Sequence, residues 1–411
     1  MNFHVVLARG IRHSLANALC VCLLVFTTLI QAAHADSTDQ AKRLHDRIAG
    51  VPPSATMLDT MRTAIDSGNP LDAALMATNA PEFYNVTLKN FAAPWTNRDF
   101  NVFVPLDDYI ATFIGIVRDD VDFRELLSGD ILYTGSGTGV PGYASNSNAH
   151  YEALDNQGTD LQANLTRTTQ SGTTGVPASA TAGIFTTRSA AKAFFIDGTN
   201  RAMFRFTLVN HLCRDMEEVH DVTRVPDRIR QDVSRSPGGD SRVFLNNCIG
   251  CHSGMDGMSQ AFAYYDYEYD EMMDPDAENG QITYNDVNDV DAVTGTRVEA
   301  KYFNNNQNFE HGYVTQDDNW INYWRAGPNK VLGWDESLPG SGAGAKALGQ
   351  ELANSQAFAQ CQVEKVFENV CLRPPQDSAD RAQIDSMVSS FQTNYNLRET
   401  FAESAVYCMG S

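Results

Sequence analysis

Asn246–Met258 reads NNCIGCHSGMDGM. Within it, Cys248, Cys251 and His252 stand in the order C-x-x-C-H, the spacing of c-type haem attachment. The spacing has a physical cause. Two thiols three residues apart lie on one helical turn and reach the two vinyl groups of a single macrocycle. The histidine that follows swings under the iron as its proximal ligand, and thioether bonds then hold the group even in a small core. Two other chemistries compete for such cysteines. A zinc site wants a second C-x-x-C or an H-x₃₋₅-H pair, and the nearest histidines upstream, His211 and His220, have the wrong spacing for one. A thioredoxin-like redox pair wants a βαβ context, which the flanking residues lack. The motif therefore predicts one covalently attached haem c on Cys248 and Cys251, with His252 as iron ligand.

The other end of the chain agrees with this. Arg9 and Arg12 precede an apolar run from Leu15 to Ile30, and Ala33-His34-Ala35 follows as a small-x-small cleavage pattern. That is the layout of a secretory signal peptide over residues 1–35. Leu19 precedes Cys20, so the lipoprotein pattern is missing. No other apolar run reaches spanning length. The expected location is periplasmic or secreted, with no membrane span after cleavage.

Charge narrows the partners. The formal net charge is −21, and removing a leader with two arginines and no acid makes the remainder more negative still. Such a surface repels phosphate backbones and anionic headgroups, which argues against nucleic acid and lipid surfaces. A redox partner protein with a basic face fits better.

Of the eight cysteines, Cys20 and Cys22 leave with the signal peptide. With Cys248 and Cys251 assigned to haem, Cys213, Cys361, Cys371 and Cys408 remain, an even number suited to disulfides in an oxidising compartment. Gln356–Cys371 reads as one helix, capped by Ser355 and stopped by Pro374-Pro375. Ten residues of helix span about 15 Å, whereas a disulfide needs Cα atoms within about 7 Å. Cys361 therefore cannot bond Cys371. Two pairings stay open: Cys213–Cys361 with Cys371–Cys408, or Cys213–Cys371 with Cys361–Cys408.

The predicted fold class is mainly α, in three parts after the leader. Residues 36–240 form a helical region with a long irregular insertion, Tyr133–Gly183, rich in Gly, Ser, Thr and Asn. Arg188–Met216 carries helical spacing, and a Pro- and Gly-containing linker, Val225–Asp240, leads to Arg242–Asn247 and the motif. Residues 241–340 form the haem module, with a small β-hairpin made of Gln281–Tyr284 and Thr296–Phe303 turning at Gly295. Residues 341–411 close the chain with a helical module, in which Ile384, Met387, Val388 and Phe391 trace an i, i+3, i+4, i+7 face.

The sixth iron ligand is the open question. Met255 and Met258 are too close to His252 to cross to the opposite haem face, and read as soft core residues. Met272, Met273 and His311 are the distal candidates. Methionine would raise the potential and histidine lower it, while an empty sixth position would permit small-molecule chemistry. Asp274, Asp276, Glu278 and Gly280 are off register for a calcium loop. The tyrosines of AYYDYEYDEMMDPDAENG read as core packing with polar tips.

CIGCHSGMDGMSQAFAYYD resembles the motif region of planctomycete-type cytochrome c domain proteins. The resemblance continues upstream in FRELLSGDILY and GIFTTRSAAKAFFIDGTNRAMFRFTLVNHLC, and downstream in FAQCQVEKVFENVCLRPP and NLRETFAESAVY. The chain departs from that pattern in having Gly257 where the family has proline. The resemblance implies an extracytoplasmic haem c protein without naming a substrate. Three functions follow: a single-haem electron carrier, a peroxidase-like haem oxidoreductase with an open iron site, or a secreted interaction protein with structural haem.

Overall fold

The computed structural model describes residues 35–196, 200–224, 241–292, 294–302 and 313–410. The predicted leader, except Ala35, lies outside them, as do the Val225–Asp240 linker and His311.

The described chain is mainly helical. Three helices open it: α1 (Ser37–Ala49), α2 (Ala55–Asp66) and α3 (Pro70–Ala77). Each start has a local cause. Asp36 caps α1 by accepting from the Asp39 N–H, Ser54 caps α2 by accepting from the Met57 N–H, and Pro70 opens α3, where its missing N–H costs nothing. Helix α4 (Asp108–Arg118) is buried from Asp108 to Val117, and its Phe113 ring packs against Phe91, Trp95 and Phe123. A helix this apolar on every side belongs at the centre of a core.

The Tyr133–Gly183 stretch is less irregular than its composition suggests. Strands β1 (Leu132–Gly135) and β2 (Leu165–Thr168) pair antiparallel across it, with helix α5 (Ala149–Asn156) between them. The Arg188–Met216 stretch is instead more broken than its periodicity suggests. It contains α6 (Arg188–Phe195), α7 (Asn200–Thr207) and a wider π-type turn at Leu208–Leu212. Val209 and Asn210 in that turn are weak helix formers.

The hairpin after the motif has a different pairing from the expected one. Strand β3 is Tyr265–Glu268 and β4 is Gln281–Tyr284, with Tyr265 opposite Tyr284 and Tyr267 opposite Ile282. From Thr296 to Tyr302 the chain makes bends and turns, not a strand. Alternation decides the choice. Tyr265 and Tyr267 point inward while Asp266 and Glu268 point out, the period-two pattern of a half-buried strand. Val298 and Tyr302 are fully buried, but from turns. A third small sheet joins β5 (Asn319–Ile321) to β6 (Ser341–Ala343).

Helices α8 (Ile249–Ser259, the motif helix), α9 (Gly344–Ala353), α10 (Gln356–Cys371), α11 (Ser378–Asn394) and α12 (Leu397–Cys408) are the longer helices of the second half. Ser355 caps α10 as expected, accepting from the Phe358 N–H at 3.1 Å. Helix α12 packs against α10, α11, α1 and α3, so the last helix joins the first ones in one apolar core that runs from Ala41 to Ala405.

Two disulfides fasten α10. Cys213 bonds Cys361 and Cys371 bonds Cys408, with Cα separations of 5.3 and 5.5 Å. This is one of the two pairings left open by helix length. The second bond closes a loop of 37 residues, and such a crosslink stabilises a domain by about 2–4 kcal/mol, chiefly by restricting the unfolded chain. Replacing Cys371 and Cys408 together by serine is expected to lower the urea unfolding free energy by that amount. A loss below about 1 kcal/mol would show that this crosslink matters little.

Candidate functional site

The C-x-x-C-H motif begins on a wide π-type turn, Phe244–Cys248, and continues into α8. The helix is poor in intrinsic propensity, because Gly250, Gly254 and Gly257 each cost about 1 kcal/mol relative to alanine. Packing explains why they are there. A Cβ on Gly250 would lie 2.1 Å from the His220 ring, one on Gly254 1.9 Å from Trp324 Nε1, and one on Gly257 2.9 Å from the Ile321 carbonyl oxygen. The glycines form one side of α8, onto which His220, Trp324 and the β5 backbone close directly. The lack of a side chain at Gly257 thus lets the β5 backbone approach α8. Trp324 is fully buried and has little room to withdraw. Gly254→Ala is expected to cost about 1–3 kcal/mol through overpacking, read from chemical unfolding. A neutral result would mean that Trp324 can repack.

Polar contacts hold the helix in register. Ser253 Oγ donates to the Asp221 carbonyl at 2.9 Å, and the Asp221 N–H donates to the Gly250 carbonyl at 3.0 Å. At the far end, Asn200 Nδ2 of α7 donates to the Ser259 carbonyl at 2.8 Å.

Cys248 ends the π-type turn, and Cys251 and His252 follow in the first turn of α8. Both cysteines are partly exposed, and neither is in a disulfide. The Cys251 thiol donates to the Met216 carbonyl at 3.4 Å. Its pKa is raised, first by burial and then by Glu217, Cys248 and Asp215. Redox-pair cysteines need the opposite, a thiolate favoured by positive surroundings.

His252 Nδ1 lies 3.1 Å from both carboxylate oxygens of Asp256, one helical turn on. Asp256 is buried, and Arg201 of α7 grips it from the other side, with Nε to Oδ1 at 2.6 Å and Nη2 to Oδ2 at 2.7 Å. Burial pushes the Asp256 pKa up. The Arg201 charge and then the His252 contact outweigh it, leaving the carboxyl well below its ordinary range. An ionised carboxylate only accepts hydrogen bonds. The nitrogen that faces the carboxylate, Nδ1, would then hold a proton, and Nε2 is the nitrogen that would bind a metal.

Other sequence candidates fall differently. Met255 and Met258 are buried in the main core, as their closeness to His252 suggested. Met272 and Met273 are 91% and 82% exposed, on a turn where their N–H groups donate to the Asp270 carboxylate. Among the described residues no contact joins them to His252. The Asp274 carboxylate closes the next turn by accepting from the Glu278 and Asn279 N–H groups.

Sequence reasoning missed Asp256 and Arg201 as functional residues. The i, i+4 spacing of His252 and Asp256 is a readable signal on a helix. Arg201, 55 residues upstream of Asp256, leaves none. A large cleft lies elsewhere. This cavity of about 560 Å³ is lined by Asp107, Glu152, Arg188 and Tyr269, among others, and burial, then the neighbouring Asp108, push the Asp107 carboxyl up to about 7. No residue of Cys248–Asp256 lines it, so the donor set rather than the void marks the candidate site. No protein-family model, curated protein or solved structure matches this chain.

Proposed function

We propose that this chain is an extracytoplasmic, single-haem c-type cytochrome that passes electrons to or from a redox partner protein. One observation carries the reading. Cys213, Cys361, Cys371 and Cys408 are bonded in pairs, while Cys248 and Cys251, one helical turn apart, are not. Two thiols kept apart from that pairing and followed directly by a histidine fit the attachment chemistry of a haem c. Cys248 and Cys251 would hold the macrocycle as thioethers, and His252 would supply an axial nitrogen through Nε2. When bound, the haem supplies the one-electron couple, and the polypeptide holds and tunes it.

The disulfides support the location, and the formal charge supports the partner. Disulfides belong to an oxidising compartment, and no described helix is long and apolar enough to cross a membrane. The formal charge of −21 favours a partner with a basic face, with association that weakens as salt rises.

The test is production of the full chain in cells that carry a haem-attachment system. The purified protein is expected to keep its haem through denaturing electrophoresis and to give one pyridine haemochrome per chain. A chain that emerges without haem, with both thiols titratable, removes this reading.

A further inference from the structure

We infer that Asp256 and Arg201 are positioning residues that make His252 a strongly electron-donating ligand, and so lower the reduction potential of the iron it would bind. The inference rests on the proposed function above and adds to it the direction in which the haem is tuned.

The argument begins with the acceptor at Nδ1. A metal-bound histidine gives its second N–H to a water, a backbone carbonyl or a carboxylate, and this choice sets ring orientation and ligand basicity. Here the acceptor is a carboxylate, with both oxygens 3.1 Å from Nδ1. The Asp256 side chain is only 3% exposed, so water screens its charge little. A proton shared with an ionised carboxylate leaves the imidazole richer in electrons than one shared with a neutral carbonyl. An electron-rich ligand favours ferric over ferrous iron, and hydrogen bonding to the ligand is one of the levers that sets such potentials.

Arg201 makes the arrangement tenable. An isolated carboxylate at this depth would take up a proton and lose its charge. The bidentate guanidinium keeps it ionised and fixes the plane of both oxygens. Asn200, the neighbouring residue, ties the same end of α7 to the end of α8, so the fork and the histidine ride on helices already joined. A purely structural role would be served by Arg201 and Asp256 alone. An Nδ1 equidistant from both carboxylate oxygens is what such a role does not require.

The consequence is a haem suited to low-potential exchange, whose donor must be correspondingly reducing. The test compares the midpoint potential of the haem-loaded wild type with those of Asp256→Asn and Arg201→Lys. Asp256→Asn replaces the charged acceptor by a neutral amide of nearly the same shape. It should weaken the preference for the ferric state by about tenfold, an upward shift of about 59 mV for a one-electron couple. Arg201→Lys keeps the charge and loses the fork, so its shift should be smaller. A second readout needs neither haem nor substitution. Nitrogen-15 spectra of the haem-free wild type should show a proton on Nδ1, the nitrogen that faces the Asp256 carboxylate. Bound haem with an unchanged potential in Asp256→Asn, or a haem-free histidine protonated on Nε2 alone, overturns this inference and leaves the cytochrome reading standing. A wild type that takes up no haem overturns both.

Discussion

Changing Cys248 and Cys251 together to serine is expected to abolish covalent haem entirely. A serine hydroxyl does not add to a vinyl group under conditions where a thiol does, so no thioether forms and the double variant should run free of haem on a denaturing gel. The single variants are more informative. Each keeps one thiol on the same helical turn and should retain at most one thioether, with a haemochrome band displaced from that of the wild type by the vinyl left unsaturated. His252→Ala spares both thiols. It should keep some covalent haem but lose the axial nitrogen, so that its spectrum turns high-spin. This order of outcomes separates attachment from ligation. A double serine variant that still carried haem through denaturation would show that the attachment site is elsewhere in the chain.

The second large effect belongs to stability and is read on the haem-free chain. Asp256→Ala removes a buried carboxylate from the Arg201 fork, in which the guanidinium side chain is itself only 17% exposed. Breaking a buried ion pair from one side costs about 3–5 kcal/mol, because the remaining charge keeps its desolvation penalty without its closest counter-charge. Urea unfolding followed by tryptophan fluorescence is the natural measurement, since Trp324 lies against Gly254 on the same helix. Arg201→Met in the same background provides the control. If the penalty comes from the orphaned charge, removing Arg201 as well should restore much of the loss, as replacing both members of a buried pair by apolar groups often does. A double variant no more stable than Asp256→Ala would locate the cost in packing instead.

How much of the fold could be read before the structure depended on how local each cause was. The ends of α10 were legible because Ser355 caps its own helix three residues on and Pro374-Pro375 forbids continuation. The ban on a Cys361–Cys371 bond followed from helix rise alone. The choice between the two remaining pairings did not, because it depends on where the Leu208–Leu212 turn leaves Cys213. Strand β3 was present in the sequence as the alternation Tyr265, Asp266, Tyr267, Glu268, but buried tyrosines pack equally well on other frames. Its partner had to be found by pairing. Thr296–Phe303 misled because Val298 and Tyr302 are apolar and spaced, although turns bury them. At the candidate site, Cys248, Cys251 and His252 stood out because the attachment chemistry that their pattern matches would fix spacing along the chain. Asp256 stood one turn away. Arg201 reaches it only through the packing of α7 on α8, which no spacing rule encodes.

The docking of α12 on α1 has a consequence for the order of events during folding. Gln40 Nε2 donates to the Gly410 carbonyl and Arg43 Nη1 to the Met409 carbonyl, both at 3.0 Å. These contacts span 370 and 366 residues, and such long-range closure is slow to form. While residues 397–410 are still being synthesised, α1 has α2 and α3 to rest on but no α12. The opening helices can therefore pair with one another early but complete their packing last, and a protease acting on the nascent chain would meet the α12-facing side of α1 uncovered.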